Sequence, residues 1–129
     1  MARRASSNPT DGELEILQVL WEQGSATVRQ VNRVLNLSRP TGYTTTLKLM
    51  QIMLDKGLLR RDASQRPQVY TAAVSKQRAQ RRLVGDLLKR AFDGSASQLV
   101  MQVLAAGKAT PEEMEEIRRL LGEIDEVKS

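Results

Sequence analysis

The spacing of apolar residues switches from a helical to a strand-like pattern after Gly57 and returns to a helical pattern at Ser75. Before Gly57, apolar side chains recur every three or four residues, as on one face of an α-helix. Between the two switches lie two short runs separated by the polar loop Ala63 to Pro67, which is a hairpin pattern. We therefore expect a mainly α fold in which helices precede and follow one small hairpin.

Two helices are predicted at the start of the chain, each opened by a capping sequence. Residues Thr10 to Glu13 offer a hydroxyl and a carboxylate to the N–H groups of a helix start, and Gly24 ends the apolar pattern that follows. Thr27 and Gln30 repeat this arrangement. The apolar pattern that follows Thr27 along the chain ends before Pro40, so we expect the second helix to be short.

A third helix, residues 43–56, is predicted after Pro40 because proline cannot continue a helix. Together with the hairpin it completes the outline of a winged helix-turn-helix, in which three helices carry a two-stranded wing. We place this DNA-binding domain at residues 9–74. The residues before it, 1–8, are basic and lack periodicity, so we interpret them as a flexible arm.

Three further helical patterns occupy residues 75–129, separated by Gly94 and Gly107. Three short helices share little interior, so we expect their apolar stripes to be buried against a second copy of the chain in a two-fold dimer. The alternative is that these stripes pack within one chain. The predicted interface residues of this three-helix dimerisation lobe are Leu83, Leu87, Leu88, Leu99, Val103, Met114, Ile117, Leu121 and Ile124.

Cysteine and histidine are absent from the 129 residues. Their absence excludes disulfides, thiolate nucleophiles, imidazole bases, zinc fingers and haem ligation. Four glutamates lie around the first turn of the last predicted helix, where carboxylates stabilise the positive end of the helix dipole: Glu112, Glu113, Glu115 and Glu116. We therefore expect a protein that is not an enzyme and has no catalytic residue, cofactor or metal site. Since no apolar run approaches the roughly 18 residues of a spanning helix, we also expect a cytoplasmic location without direct membrane binding.

The net charge of +5 is unevenly distributed along the chain. Residues 1–82 carry fourteen Lys and Arg against six Asp and Glu, whereas residues 83–129 carry six against nine. A basic part beside an acidic part is typical of a polyanion-binding module joined to a protein-binding one. The alternative is that the asymmetry serves solubility only. With four aromatic residues, the chain offers little surface for stacking on single strands or on unpaired RNA bases.

The helix at residues 43–56 has two chemically different faces. Its inner face is defined by Leu49, Met50 and Met53 with the small Thr46. Its outer face and helix start offer hydrogen-bonding or methyl-bearing side chains that suit a major groove: Tyr43, Thr44, Thr45, Leu47, Lys48 and Gln51. The hairpin adds three cations, Arg60, Arg61 and Arg66. These residues predict a DNA-binding surface, although any amphipathic helix has a polar side.

The segment GYTTTLKLMQIMLDKGLLRRD (residues 42–62), followed by QRPQVYTAAVS (65–75), resembles the BlaI/MecI/CopY family of penicillinase-repressor-type transcriptional regulators. The stretch ELEILQVLWEQGSATVRQV (13–31) is similar to the first two helices of that family, and the three downstream helices are similar to its dimerisation region. The resemblance implies a homodimeric repressor that binds a palindromic promoter operator through paired winged helices. It implies recognition-helix contacts from Tyr43, Thr44, Thr45 and Lys48, and phosphate contacts from Arg39, Thr41, Arg60, Arg61 and Arg66.

The sequence departs from the pattern of this family at three places. Ile52 and Leu54 stand near the end of the recognition helix, where relatives often carry charged side chains. Antibiotic-responsive relatives are inactivated by cleavage within an Asn-Phe pair, and the matching place here is Gln102–Val103. Copper-responsive relatives carry a C-terminal cysteine cluster, which this chain lacks, so metal sensing through thiolates is excluded. Cleavage at Gln102–Val103, with a membrane sensor protease as partner, is one hypothesis for release from DNA, and ligand binding is another.

A function of another class also fits a winged helix. Such folds serve as protein-interaction modules that recruit a protein partner through the face of the recognition helix. Sequence-selective retention of duplex DNA separates the two hypotheses, because a module that binds only protein shows none.

Overall fold

A computed structural model describes residues 8–128, with side chains described as far as residue 123. The predicted arm, residues 1–8, lies outside the described residues except for Asn8. The chain divides into two compact units after Leu83. This division falls inside a helix that begins at Lys76, whereas the boundary expected from the sequence precedes that helix.

The described residues form six helices and one antiparallel pair of strands. In chain order they are α1 (Asp11–Gln23), α2 (Val28–Leu35), α3 (Tyr43–Asp55), β1 (Leu59–Asp62), β2 (Val69–Ala72), α4 (Lys76–Ala91), α5 (Ala96–Ala105) and α6 (Pro111–Lys128). Three helices followed by a two-stranded wing, residues 59–72, confirm the predicted winged helix-turn-helix. Within residues 8–128, no helix combines the length and the apolar character needed to cross a membrane.

The predicted capping pairs form at both early helix starts. Thr10 Oγ1 accepts a hydrogen bond from the Glu13 N–H at 3.3 Å, and Glu13 Oε1 accepts from the Thr10 N–H at 2.9 Å. Thr27 and Gln30 make the same two bonds at 3.1 and 2.8 Å. These side chains satisfy N–H groups that have no partner inside the helix, so local sequence alone sets where α1 and α2 begin.

The first unit has one apolar core, to which α1, α2, α3 and the wing all contribute. Its deeply buried side chains include Ile16, Leu17, Leu20, Val31, Met50, Met53, Leu58, Leu59 and Tyr70. Two backbone hydrogen bonds of 2.8 and 3.0 Å join Tyr70 to Ala26, which lies just before α2. The Trp21 indole N–H donates to the Val74 carbonyl at 2.9 Å. Strand β2 is therefore hydrogen-bonded to the segment between α1 and α2, and α1 is hydrogen-bonded to the segment that follows β2.

The end of α3 leads directly into the wing through a glycine turn. The Gly57 N–H donates to the Leu54 carbonyl at 3.1 Å, and the Leu58 N–H donates to the Met53 carbonyl at 2.9 Å. This pair of bonds is a Schellman motif, which requires a left-handed residue, and Gly57 has φ +80°. Any side chain at this position would be strained, so Gly57 fixes the direction in which the chain leaves α3.

The second unit lacks buried side chains over residues 84–123. Instead, many of its apolar side chains are exposed, namely Val84, Leu87, Val100, Met101, Val103, Leu104, Leu120 and Leu121. Its helices are nevertheless capped: Thr110 and Glu113 exchange two hydrogen bonds of 3.1 and 2.9 Å at the start of α6, as their spacing predicts. Well-formed helices without a core of their own leave this unit with a large apolar surface in contact with water.

Candidate nucleic-acid interface

The helix α3 presents most of its predicted contact residues to solvent. Tyr43, Thr44, Thr45, Lys48 and Gln51 are all exposed. The predicted inner residues Thr46, Met50 and Met53 are fully buried, and Leu49 is half-buried against the core. The outer face of α3 therefore presents accessible polar side chains from its first residue to Gln51, and the apolar Ile52 is also exposed near the helix end.

The prediction that Leu47 lies on the outer face of α3 is wrong. Leu47 is half-buried and packs against the core of the first unit. It also lines a groove beside the wing with Pro67 and Tyr70. The wing lies beside α3 at this position. Leu47 is therefore partly covered by the wing, although a division of the helix into an inner and an outer face predicts that it is exposed.

The start of α3 differs from the starts of α1 and α2. Its N-cap residue is Gly42, which provides no side-chain hydrogen bond to the first turn. In α1 and α2, a threonine hydroxyl fills this role. The N–H groups at the start of α3 thus receive no acceptor from the cap, and the positive end of a helix dipole favours an external anion such as a phosphate.

Two asparagines shape the turn that connects α2 to α3. The Asn32 amide donates to the Thr41 carbonyl and to Thr46 Oγ1, both at 2.9 Å. Asn36 donates to the same carbonyl at 2.9 Å and accepts from the Thr41 N–H at 3.0 Å. Sequence reasoning missed both residues, although two asparagines one helical turn apart before Pro40 were an available signal.

Thr41 lies within this turn, and its polar groups are engaged there. Its backbone makes three hydrogen bonds with the two asparagines, and its hydroxyl donates to the Arg39 carbonyl at 3.1 Å. The structure therefore gives Thr41 a role in holding the turn. A phosphate contact from Thr41 stays a prediction.

Arg39 is paired with an acidic residue of α1. Its guanidinium makes two parallel contacts with the Glu15 carboxylate, at 2.8 and 3.0 Å. The hydrogen bonds and the charge of Glu15 raise the pKa of Arg39 above its ordinary value. The pair is largely solvent-exposed, so a phosphate can compete with Glu15 for this guanidinium. A phosphate contact from Arg39 stays a prediction.

The two arginines of β1 do not share one surface. Successive residues of a strand point to opposite faces, and Arg61 lies opposite Tyr70 in the register whereas Arg60 lies opposite Thr71. Arg61 therefore lies on the face of the hairpin that carries the buried Tyr70, and Arg60 lies on the other face. Both are exposed. A duplex lying along one face of the wing meets only one of them directly.

The loop at the tip of the wing is held by Asp62 and Arg66. The Asp62 carboxylate accepts hydrogen bonds from the Ser64 hydroxyl, the Ser64 N–H at 3.0 Å and the Gln65 amide at 3.1 Å. The hydrogen bonds from the Ser64 hydroxyl and the Gln65 amide are the main reason that the pKa of Asp62 lies below its ordinary value. Arg66 donates to the Ala63 carbonyl at 3.0 Å. The loop is thus ordered by its own contacts while Arg66 stays exposed.

A groove of about 410 Å³ brings predicted contact residues from two elements together. It lies between the start of α2, the start of α3 and the wing loop. Its lining consists of Thr27, Val28, Arg29, Tyr43, Leu47, Arg66, Pro67, Gln68 and Tyr70. Tyr43 and Arg66 were predicted from the sequence, whereas Arg29 was missed; its position just inside a capped helix start was the available signal.

Arg29 makes a specific contact in this groove. Its guanidinium carbon lies 5.5 Å from the centroid of the Tyr43 ring, within the range of a cation–π interaction. The contact joins the first turn of α2 to the first residue of α3.

No cluster of three or more acidic, histidine or cysteine side chains suited to a metal ion occurs among the described residues.

Comparison with known proteins places this arrangement in a family. The family model described as Penicillinase repressor matches residues 9–123. A curated Penicillinase repressor from Bacillus licheniformis is 24% identical over 114 residues, covering 88% of this chain and 89% of that protein. A solved MarR family transcriptional regulator from Silicibacter pomeroyi DSS is 21% identical with a TM-score of 0.45, covering 91% of this chain and 69% of that one.

The family match extends over both units and confirms the resemblance drawn from residues 13–75. It also confirms the expectation of a winged-helix transcriptional repressor that is not an enzyme. The chain belongs to the penicillinase repressor family.

Proposed function

We propose that the chain is a homodimeric repressor that occupies promoter DNA by placing α3 of each copy in the major groove of a palindromic operator. The observation that carries this proposal is the arrangement of α3. Thr44, Lys48 and Gln51 follow one another at spacings of four and three residues, so they form one exposed polar row. The opposite face is fixed in the core through Met50 and Met53. A helix held in this way presents a rigid row of side chains to base edges.

Side chains that precede and follow α3 in the chain supply the contacts to the phosphate backbone. Arg39 and Thr41 precede α3, whereas Arg60 or Arg61 of β1 and Arg66 of the wing loop follow it. Contacts of this kind set the register of a protein on the duplex and make its affinity strongly dependent on salt. The Arg39 guanidinium exchanges Glu15 for a phosphate on binding.

The apolar surface of the second unit supports the dimer. The proposed interface residues Leu87, Val103 and Leu121 are exposed in the single chain, and the half-buried ones are Leu88, Leu99, Met114 and Ile117. Leu83 ends the first unit, and the side chain of Ile124 lies outside the described residues. Exposed apolar side chains on successive helices are typical of a protein interaction site, and in a two-fold dimer the same residues of both chains are buried.

Two copies related by a two-fold axis read two half-sites about 34 Å apart on one side of the duplex. The test is selection of bound sequences from a random duplex library, followed by gel-shift titration at about 50 and 200 mM salt. We expect an inverted repeat to be enriched and its affinity to fall steeply with salt. If no sequence is retained selectively, the chain is a protein-interaction module instead.

Release from DNA is the finer part of the proposal. Gln102 and Val103 lie within α5, and both are exposed in a helix that has no buried residue. Such a helix opens at low free-energy cost and gives a protease access to its backbone. A cut there separates α6 from the rest of the dimerisation lobe. We propose a membrane sensor protease as the partner that delivers this cut, with the repressor itself in the cytoplasm.

Mass spectrometry of the repressor recovered from induced cells tests this route. A fragment that ends at Gln102 supports cleavage. Intact protein in cells whose promoter has been released contradicts cleavage and favours a ligand.

A further inference from the structure

We infer that Arg29 is a positioning residue for sequence readout, acting by holding the Tyr43 ring at the start of α3. The inference rests on the proposed function, since it concerns how that function reaches its specificity. Arg29 lies in the first turn of α2, and Tyr43 is the first residue of α3. They are 14 positions apart in the chain, yet the guanidinium carbon lies 5.5 Å from the ring centroid.

Tyr43 needs such a partner because it is exposed. An exposed aromatic side chain at a helix start samples several rotamers, and fixing one of them on binding DNA costs conformational entropy. A guanidinium over the ring face restricts the ring before DNA arrives. The Tyr43 hydroxyl then occupies a narrower range of positions relative to the polar row of α3, which favours the one base sequence that matches it.

The surroundings of the groove keep the Arg29 guanidinium available for this role. The groove lining contains two arginines, Arg29 and Arg66, and no carboxylate. The apolar side chains of Leu47 and Tyr70 line the same groove as Tyr43, and the Arg29 guanidinium carbon lies 5.5 Å from the centroid of its ring. Arg39, by contrast, is held by Glu15. Charge and packing therefore both favour the Arg29–Tyr43 contact.

A double-mutant cycle tests the inference. The probes are the duplex that the wild-type chain selects from a random library and a shuffled duplex of the same composition. We expect Arg29→Met to weaken binding of the selected duplex about two- to fivefold, the equivalent of an exposed cation–π contact. In a Tyr43→Leu background the same change should have no further effect. In a Tyr43→Phe background, which keeps the ring, it should still weaken binding.

Two further variants make the cycle specific. Arg33→Met removes an exposed positive charge from the same helix, away from the groove, and it measures the loss that comes from charge alone. Arg29→Lys keeps a cation near the ring, and we expect it to restore part of the lost affinity. Arg29 and Arg33 are both exposed, so thermal unfolding should be little changed in either variant.

The outcomes separate this inference from the proposed function. If Arg29→Met loses no more affinity than Arg33→Met, or if its effect persists undiminished with Tyr43→Leu, the positioning role is wrong. A loss that is equal for both duplexes, with a smaller salt dependence, assigns Arg29 to phosphate and also overturns it. A wild-type chain that selects no duplex overturns the proposed function itself.

Discussion

The Lys56 ammonium lies 2.7 Å from Glu13 Oε1 and joins the end of α3 to the first turn of α1. The Glu13 side chain is 3% exposed and that of Lys56 17% exposed. The same carboxylate oxygen accepts the Thr10 N–H, and the ammonium also reaches the Asn8 carbonyl at 3.4 Å. One buried carboxylate therefore caps α1 and fixes the C-terminal end of α3.

Glu13→Gln should lower the free energy of unfolding by about 3 kcal/mol at neutral pH, because it leaves the Lys56 ammonium partly buried without a counter-charge. Urea denaturation measures this loss. Glu15→Gln is the matched control, since it breaks the exposed pair with Arg39, and it should cost less than about 1 kcal/mol. An equal loss of unfolding free energy in the two variants would show that the Glu13–Lys56 pair stabilises the fold no more than the exposed Glu15–Arg39 pair.

Glu13 should also make stability depend on pH. Burial raises the pKa of its carboxyl, but hydrogen bonds from Lys56 and Thr10 and the charge of Lys56 outweigh burial and lower the pKa below the ordinary 4.5. The unfolded chain therefore takes up this proton at a higher pH than the folded one, and stability is lost as the pH falls below about 4.5. The gap between wild type and Glu13→Gln should narrow there, and a constant gap would contradict the lowered pKa.

Lys48→Ala should weaken operator binding by about tenfold or more, because Lys48 lies at the centre of the exposed row on α3 and a good base contact contributes about 1–3 kcal/mol. Gel-shift titration against the selected duplex measures the change. Lys89→Ala, which removes an exposed lysine from α4, is the control. Sedimentation should find the variant in the same oligomeric state as wild type. Unchanged operator affinity would remove Lys48 from the readout surface.

Arg66→Ala should weaken binding to every duplex alike and reduce the slope of log affinity against log salt by about one, as expected for a lost phosphate contact. Titrations of the selected and shuffled duplexes at several salt concentrations give both quantities. Because Arg66 also donates to the Ala63 carbonyl, Arg66→Lys is a useful companion that retains the charge. A loss confined to the selected duplex would mean that Arg66 reads sequence.

The elements that local signals specify were predictable. Capping pairs such as Thr10 and Glu13 place helix starts, and Gly57 places a helix end, because each acts on backbone groups within four residues of itself. The exposed row of α3 follows from helical spacing in the same way. The sequence left open how Ile52 and Leu54 pack: Leu54 packs against the core of the first unit, whereas Ile52 is 40% exposed.

Contacts between distant parts of the chain were not predictable from spacing. Lys56 and Glu13 are 43 residues apart, and Arg39 and Glu15 are 24 apart. Their pairing depends on how three helices pack, which the pattern of one helix does not contain. For the same reason the sequence predicts Tyr43 as a contact residue without indicating that the Arg29 guanidinium lies over its ring.

Thr46→Val should destabilise the first unit by about 1–2 kcal/mol. Thr46 is fully buried, and its hydroxyl oxygen accepts from Asn32, so valine keeps the shape but leaves that amide N–H without an acceptor. Thermal or urea unfolding measures the loss. Thr45→Val on the exposed side of α3 should change stability little. If both variants unfold alike, the Asn32–Thr46 bond contributes nothing to holding the turn.

Leu121→Asp should convert the proposed dimer to a monomer. Leu121 is 58% exposed on α6 of the single chain, and a carboxylate there would have to lose its water inside an apolar interface without a partner. Leu37→Asp is the control, because Leu37 is 84% exposed in the first unit, outside the proposed interface. Sedimentation at micromolar concentration measures the state of each variant.

Loss of the dimer should also weaken operator binding far more than loss of one contact does. In the proposed dimer the second units link two winged helices, so binding of one half-site raises the effective concentration of the other winged helix at the second half-site, and a monomer lacks this gain. Binding of Leu121→Asp to a single half-site should stay close to that of wild type at the same site. A Leu121→Asp chain that remains dimeric, or a monomer that binds the full operator normally, would place the interface elsewhere.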